Sequence, residues 1–303
     1  MTESLQYRVL RSVGGIFELL AADGTRLSCR ARGNLRRGDG RVLVGDLVTV
    51  DADEHGEAAI AAVLPRRNEL IRPPLANLDE VLAVTAVRDP IPQTDTLDKL
   101  LVILEHNRIG ATVVLTKCDL DSAEAERLSA VYRAAGYTVF CVSSYAGTGI
   151  APLAAYLQAR LAEGAALALS GASGVGKSSL INRIFPELAL GTGEISRKIG
   201  RGKNTTRVTE LFPLAGGYLA DTPGFSLLDF LRFDFLDCDE LAPAFREFRD
   251  LLPECRYGDC RHIKEEDCAI RRAVAEGRVP ESRYATYTAL YPVLREKKRA
   301  QGK

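Results

Sequence analysis

The residues with the most explicit chemistry are Gly171-Ala172-Ser173-Gly174-Val175-Gly176-Lys177-Ser178, followed by Ser179, a G-x-x-x-x-G-K-S run. Gly171, Gly174 and Gly176 let the backbone curl so that successive N–H groups face phosphate oxygens. A helix N-terminus behind them adds donors and partial positive charge. Lys177 is expected to reach the β- and γ-phosphates, and the Ser178 hydroxyl to bind Mg²⁺. That chemistry needs a strand before the run and a helix after it. Leu167-Ala168-Leu169-Ser170 reads as a short buried strand, and Leu180, Ile181, Ile184 and Phe185 recur at helical spacing. A nucleoside triphosphate is the expected ligand.

A second stretch selects the base. Thr116-Lys117-Cys118-Asp119, at the end of the apolar run 111–115, resembles the guanine-specificity motif Asn-Lys-x-Asp of GTPases. Asp119 can accept from both N1–H and N2–H of guanine, and adenine has no such donor pair. A site built on that carboxylate discriminates by on the order of 10⁴ or more. Lys117 would lie along the base, and Ser143 and Ser144 would stand beside guanine O6. Thr116 replaces the usual Asn and offers only part of its hydrogen bonding. Residues 191–207 are rich in glycine and charge and read as a first switch, with Thr206, in preference to Thr205, on Mg²⁺ and the γ-phosphate. Gly217-Tyr-Leu-Ala-Asp221-Thr-Pro-Gly224 reads as a strand ending in the D-x-x-G of a second switch. Asp221 would meet Mg²⁺ through water, and the Gly224 N–H would meet the γ-phosphate. The base motif precedes the phosphate loop, which is a circularly permuted order.

Cys255-x₄-Cys260-x-His262-x₅-Cys268 supplies three thiolates and one imidazole, a complement for one tetrahedral structural zinc with no open position. Cys29, Cys118, Cys141 and Cys238 lack such spacing and read as packing residues.

The elements that must position these groups follow from the pattern. Residues 5–65 alternate short β-prone runs with glycine turns, which predicts a small barrel of the oligonucleotide/oligosaccharide-binding (OB) kind. Arg26, Arg30, Arg32, Arg36, Arg37 and Arg41 crowd one part of it, either as a solvated face or as a nucleic-acid footprint. A Pro/Arg-rich linker runs from Leu64 to Leu75. From Val81 the chain alternates strands and helices, which implies a mostly parallel sheet covered on both faces. The C-terminal part shows helical patterns at 240–252, 269–276 and 283–299, with Pro292 expected to kink the last. The predicted fold is α/β: a circularly permuted P-loop GTPase domain (69–236), preceded by an OB-type barrel (1–68) and followed by a mainly helical zinc-binding domain (237–303). The 303 residues carry 40 Lys+Arg against 40 Asp+Glu, so the chain as a whole is no polyelectrolyte. No apolar run reaches a membrane span and no signal-peptide pattern is present, so a cytoplasmic protein with no membrane partner is expected.

Taken together, these motifs resemble the circularly permuted small-ribosomal-subunit biogenesis GTPases of bacteria, the RsgA/YjeQ family, over nearly the whole chain. The matching stretches are Cys29-Arg-Ala-Arg-Gly33, Val44-Gly-Asp46, Arg72-Pro-Pro-Leu-Ala-Asn-Leu-Asp79, Gly171–Ser179, Gly200-Arg-Gly-Lys-Asn-Thr-Thr206, Asp221-Thr-Pro-Gly224, the Cys/His cluster and Arg283-Tyr-Ala-Thr-Tyr287. The resemblance implies GTP hydrolysis with Mg²⁺ during late maturation of the 30S subunit, with 16S rRNA as partner and a monomeric enzyme. It implies Lys177, Thr206 and Asn204 as the catalytic set. Asn204 stands where the family usually has a His that orients the attacking water, and Phe225 stands where Ras-like GTPases have their catalytic Gln. Two other readings compete: an RNA-binding checkpoint protein whose hydrolysis is incidental, and an ATP-dependent phosphotransferase, which Asp119 and the switch motifs disfavour.

Overall fold

The computed structural model describes residues 5–36, 41–52, 56–71, 73–188, 209–221 and 236–302, without the side chains of Asn34, Arg36 and Asp221. Backbone contacts divide the chain into two compact units. One combines Met1–Glu80, Ala155–Ser170 and Gly191–Phe225; the other combines Val81–Ala154, Gly171–Leu190 and Ser226–Lys303.

In the first unit, the alternating N-terminal runs form β1 (Gln6–Val13), β2 (Ile16–Ala21), β3 (Arg26–Ala31), β4 (Leu47–Ala52) and β5 (Ala58–Val63). Their order is β1-β2-β3-β5-β4, with β4 pairing back onto β1, so the sheet closes into a five-stranded barrel. Only the β3–β5 pair is parallel. One side chain in two points inward, and Val9, Phe17, Leu19, Cys29, Ala31, Val42, Val48 and Ile60 fill the interior. Of the arginine cluster, Arg26, Arg30 and Arg41 are exposed, while Arg32 donates to the Ala52 carbonyl at 2.8 Å.

The Pro/Arg-rich stretch is more ordered than a linker. It carries the two-residue strands β6 (Glu69–Leu70) and β7 (Leu75–Ala76), which pair with each other. Arg66 grips the fully buried Asp46 through Nε at 2.7 Å and Nη2 at 2.9 Å, and Arg67 reaches Asp79 at 2.7 Å. Gly45 has φ 93°, and a Cβ there would overlap the Ala76 carbonyl oxygen. Val44-Gly45-Asp46 is therefore the fastening point of this segment.

The α/β part adds β8 (Glu80–Ala86), α1 (Thr94–His106), β9 (Gly110–Thr116), α2 (Ser122–Ala134), β10 (Thr138–Cys141), α3 (Ile150–Ala162), β11 (Ala166–Ser170), α4 (Lys177–Ile184), β12 (Glu210–Leu214) and β13 (Gly217–Asp221). In the first unit β11 runs parallel to β13, which is antiparallel to β12, and β12 meets β1 at Arg11↔Glu210. β12 is not anticipated by the sequence pattern, because Pro213 interrupts it. Ala215 and Gly216, at φ 50° and 92°, make the two-residue turn that folds it onto β13. In the second unit β9 lies between β10 and β8, and every residue of β8 is buried.

The C-terminal part belongs to the second unit. Helix is expected over 240–252; the chain instead forms 3₁₀ turns at Cys238–Glu240 and Arg246–Glu254, because Pro243 and Pro253 withhold the N–H groups an α-helix needs. α5 (Ala269–Ala275) ends at Glu276-Gly277, with Gly277 at φ 72°. α6 (Glu281–Gln301) continues through Pro292.

A buried ion cluster fastens α6 to α1. Arg283 has no exposed surface and donates to Asp98 at 2.9 Å and to Glu247 at 2.7 and 3.2 Å. Tyr132 and Thr286 hydroxyls donate to the remaining lone pairs of Asp98 at 3.1 and 2.7 Å. Beside it, Arg246 and Arg249 both donate to Glu105 of α1. Removing one member of a buried pair costs about 3–5 kcal/mol, because its partner is left charged and unpaired. Arg283→Met is expected to lower unfolding stability by that amount in urea titration, and a loss under 1 kcal/mol would show that the cluster is dispensable.

Candidate nucleotide-binding site and metal centre

The predicted base and phosphate segments lie in the same unit and are bonded to each other. β9 ends at Thr116, which is 3 % exposed, and its hydroxyl turns inward. Oγ1 lies 2.6 Å from the Val175 carbonyl in the middle of the phosphate loop and 3.3 Å from the Thr85 carbonyl at the end of β8. The single hydroxyl proton serves the shorter bond. Thr116 thus sets the distance between the two segments instead of facing solvent.

The loop itself is shaped by close approach. Gly171 follows β11 directly, and a Cβ at this position would overlap the Val84 carbonyl oxygen. Gly176 caps α4 at φ 95°, and its carbonyl accepts the first helical bond, from Leu180, at 2.9 Å. Leu180, Ile181 and Phe185 are buried, as their spacing predicts, while Ile184 is half-buried. Val175 is buried and Ser173 and Gly174 face solvent at the tip of the loop. Ala172, Ser178 and Ser179 flank them, and the Lys177 ammonium folds back over the loop to the Gly171 and Ala172 carbonyls at 2.7 and 2.8 Å.

On the base side, Lys117 has φ 57° and its ammonium donates to the Asp89 carbonyl. Asp119 is exposed at the rim. Cys118 is half-buried, and its amide donates to the Val142 carbonyl at 3.2 Å. Ser143 is buried, and its Oγ accepts the Ala146 amide at 3.0 Å, which shapes the following turn; Ser144 is half-buried. The expected switch residues Asn204, Thr206 and Gly224, with Phe225, lie outside the described residues. Asp221 ends β13.

The four predicted metal ligands converge. The ligand atoms of Cys255, Cys260, His262 and Cys268 all lie within 4.8 Å of one another. His262 Nδ1 is 3.5 Å from Cys255 Sγ and 3.4 Å from Cys268 Sγ, and those two sulfurs are 4.0 Å apart. A tetrahedral ion with bonds of about 2.3 Å to sulfur and about 2.0 Å to nitrogen needs edges of about 3.8 and 3.5 Å, so the cluster fits such an ion. Burial, with the neighbouring thiols, pushes Cys260 up to about 12, and burial pushes His262 down. Burial likewise pushes Cys268 up, and a bound cation would reverse both thiol shifts by holding the thiolates. Sequence reasoning missed the frame around the cluster. Glu265 accepts the Arg261, Ile263 and Lys264 amides at 3.1, 3.0 and 2.9 Å, while Tyr284 and Tyr287 donate to the His262 and Arg261 carbonyls. Burial of Glu265 opposes its charge, but those donors hold it down at about 2.

The RsgA GTPase family model matches residues 63–231 and the RsgA N-terminal domain model residues 6–60. The small ribosomal subunit biogenesis GTPase RsgA of Caldanaerobacter subterraneus subsp. tengcongensis is 39% identical over 303 residues, 99% of each chain. Its counterpart in Carboxydothermus hydrogenoformans is 41% identical over 261 residues, covering 86% of this chain and 87% of that one. The crystal structure of YjeQ from Thermotoga maritima superposes with TM-score 0.78 at 33% identity, covering 96% of this chain and 98% of that one. YloQ, a circularly permuted GTPase, superposes with TM-score 0.76 at 30% identity over 98% of each chain. With its closed barrel, its base motif ahead of its phosphate loop and its C-terminal Cys/His cluster, this chain belongs to the RsgA family of circularly permuted GTPases and is a GTP-hydrolysing enzyme.

Proposed function

We propose that the enzyme binds the immature 30S subunit and hydrolyses GTP to GDP and phosphate late in the maturation of that subunit, working as a cytoplasmic monomer with 16S rRNA as its contact. The observation that carries the nucleotide reading is the buried Thr116 bond to Val175, which holds a guanine-type motif and a phosphate loop in fixed register. Asp119 selects guanine, and Lys117 lies along the base with Ser143 and Ser144 near O6. The loop amides from Gly171 to Ser178, with Ser179 at the start of α4, surround the phosphates. Phosphate oxygens are charged acceptors and replace the Gly171 and Ala172 carbonyls at the Lys177 ammonium. Ser178, Thr206 and, through water, Asp221 hold Mg²⁺, which neutralises charge at the transferring phosphoryl group. The names of the RsgA relatives support the small subunit as partner. Exposed Arg26, Arg30 and Arg41 give the barrel a surface suited to RNA phosphates. The working division is 1–68 for the barrel, 69–236 for the GTPase domain and 237–303 for the zinc domain.

Asp119→Ala removes both acceptors for the guanine N–H groups and leaves the phosphate loop intact. GTP binding is expected to weaken by about 2–4 kcal/mol in fluorescence titration with a GDP analogue, whereas unchanged affinity would move base recognition elsewhere.

One structural Zn²⁺ is assigned to Cys255, Cys260, His262 and Cys268. Elemental analysis should return about one zinc per chain. Cys260→Ser should release it and raise amide exchange over residues 255–268. A metal-free protein with native exchange in that segment would contradict the assignment.

Turnover should be slow without the subunit. Phe225 can neither align water nor accept a proton, and Asn204 sits in a glycine-rich switch. Unassisted GTPases of this kind run at or below the order of 10⁻³ s⁻¹, and activators raise that by ~10²-fold or more. Steady-state phosphate release by free protein and by protein with 30S subunits measures both. Equal rates would refute stimulation, and Asn204→Ala with full stimulated activity would assign water positioning to another group.

A further inference from the structure

Two cysteines without metal-type spacing meet at the base loop. β10 runs parallel to β9 with Cys141 opposite Leu115. The chain leaves β9 at Thr116 and turns back at Lys117, so that the Cys118 amide bonds to the carbonyl of Val142, the residue after Cys141. The two thiols therefore stand at the same end of neighbouring strands, both half-buried. The Cys118 thiol donates to the Leu115 carbonyl at 3.2 Å, and it stands near enough to Cys141 for each sulfur to affect the other's ionisation.

A third group completes the site from α2. Ser129 is 1 % exposed, and its Oγ makes no hydrogen bond. It lies near enough to Cys141 to favour the thiolate there. Arg133 follows one turn later on the same helix face and adds positive charge. The neighbouring Cys118 thiol first, then Ser129 and Arg133, outweigh burial and lower Cys141 to about 6. A thiolate held in this way is the nucleophilic form of cysteine. Burial instead pushes Cys29 and Cys238 up, and the remaining three cysteines form the metal cluster.

The geometry points to Cys118 and Cys141 as an oxidisable dithiol site, at which a peroxide converts the pair to a disulfide and weakens guanine-nucleotide binding. The nucleotide effect rests on the reading of Thr116–Asp119 as the base-recognition segment. In the first step the Cys141 thiolate attacks one peroxide oxygen. An S–O bond forms, the O–O bond breaks, and the departing hydroxide is protonated to water. In the second step the Cys118 thiol, losing its proton, attacks the sulfenic sulfur. The S–S bond forms, the S–O bond breaks and a second water leaves, so two electrons pass from the thiols to one peroxide. An S–S bond of about 2.05 Å is much shorter than a contact between two thiols, so closing it draws Cys118 toward β10. Lys117 and Asp119 flank Cys118 and move with it. A displacement of about 1 Å in a binding site can cost on the order of 10²-fold.

The test uses the metal-loaded, full-length protein, treated with one equivalent of hydrogen peroxide and then alkylated. Mass mapping without reductant should find the peptide linking Cys118 to Cys141. Affinity for a fluorescent GDP analogue should fall about ten- to a hundredfold and return with dithiothreitol. Unoxidised Cys141→Ser should bind the analogue as the parent does and should not respond to peroxide. Cys118→Ser should accumulate a sulfenic acid at Cys141 that dimedone traps. Absence of the linked peptide, or alkylation of Cys141 no faster than Cys29 and Cys238, would overturn the site. A linked peptide with unchanged affinity would overturn its coupling to nucleotide. Failure of the reduced protein to bind the analogue would instead refute the base-recognition reading, and the mapping would still decide the disulfide.

Discussion

The buried hydrogen bond from Thr116 to Val175 is the constraint on which the proposed nucleotide site depends. A guanine nucleotide has fixed dimensions, so its base and phosphate receptors must be held at one separation. Here the receptors come from distant parts of the chain in reversed order, and short-range sequence cannot set that separation. One hydroxyl proton bridges them at 2.6 Å, in a position closed to water. Hydrogen bonds in such surroundings are expensive to leave unmade, which makes the spacing rigid. The glycine at 171 serves the same end, since only a residue without Cβ allows the loop to press against the Val84 carbonyl.

The motifs that bind ligands were legible in the sequence because their chemistry demands particular residues at short spacing. The phosphate loop, the Thr116–Asp119 segment and the Cys/His cluster all depend on local order, and the structure brings each set together. Period-two alternation likewise predicts the five barrel strands. What stayed hidden depends on residues far apart. Arg283 stands in a family-matching stretch with no role assigned until α6 places it between Asp98 and Glu247. Cys118 and Cys141 read as packing residues until the β9–β10 register sets them side by side. Thr116 reads only as a partial substitute for the usual Asn, and its bond to Val175 shows once β9 and the loop are placed together. β12 escaped because Pro213 reads as a strand breaker, yet the strand needs only the hairpin turn at 215–216 to form.

The C-terminal part shows why a circularly permuted order comes with extra structure. Permutation leaves the chain after D-x-x-G to continue into residues 236–303, where proline-broken 3₁₀ turns offer few backbone bonds of their own. Two polar clusters there add to a buried apolar core that includes Leu241, Phe245, Phe248, Ile270, Leu290 and Leu294. The Arg283 cluster ties α6 to α1, and the cysteine–histidine cluster closes the turn around residues 255–268. Aromatic packing of Phe245, Phe248 and Tyr287 lies between them, with ring centroids 4.9 to 5.5 Å apart.

The central claim is that one preset site reads guanine through Asp119 and triphosphate through the loop at Gly171–Ser178. Nucleotide competition tests it most directly, with a fluorescent GTP analogue bound to the reduced, metal-loaded protein and displaced by GTP, GDP, ATP or ADP. Both guanine nucleotides are expected to displace the analogue, with a discrimination against adenine nucleotides of about 10⁴-fold. Displacement by ATP at the same concentration as GTP would contradict it.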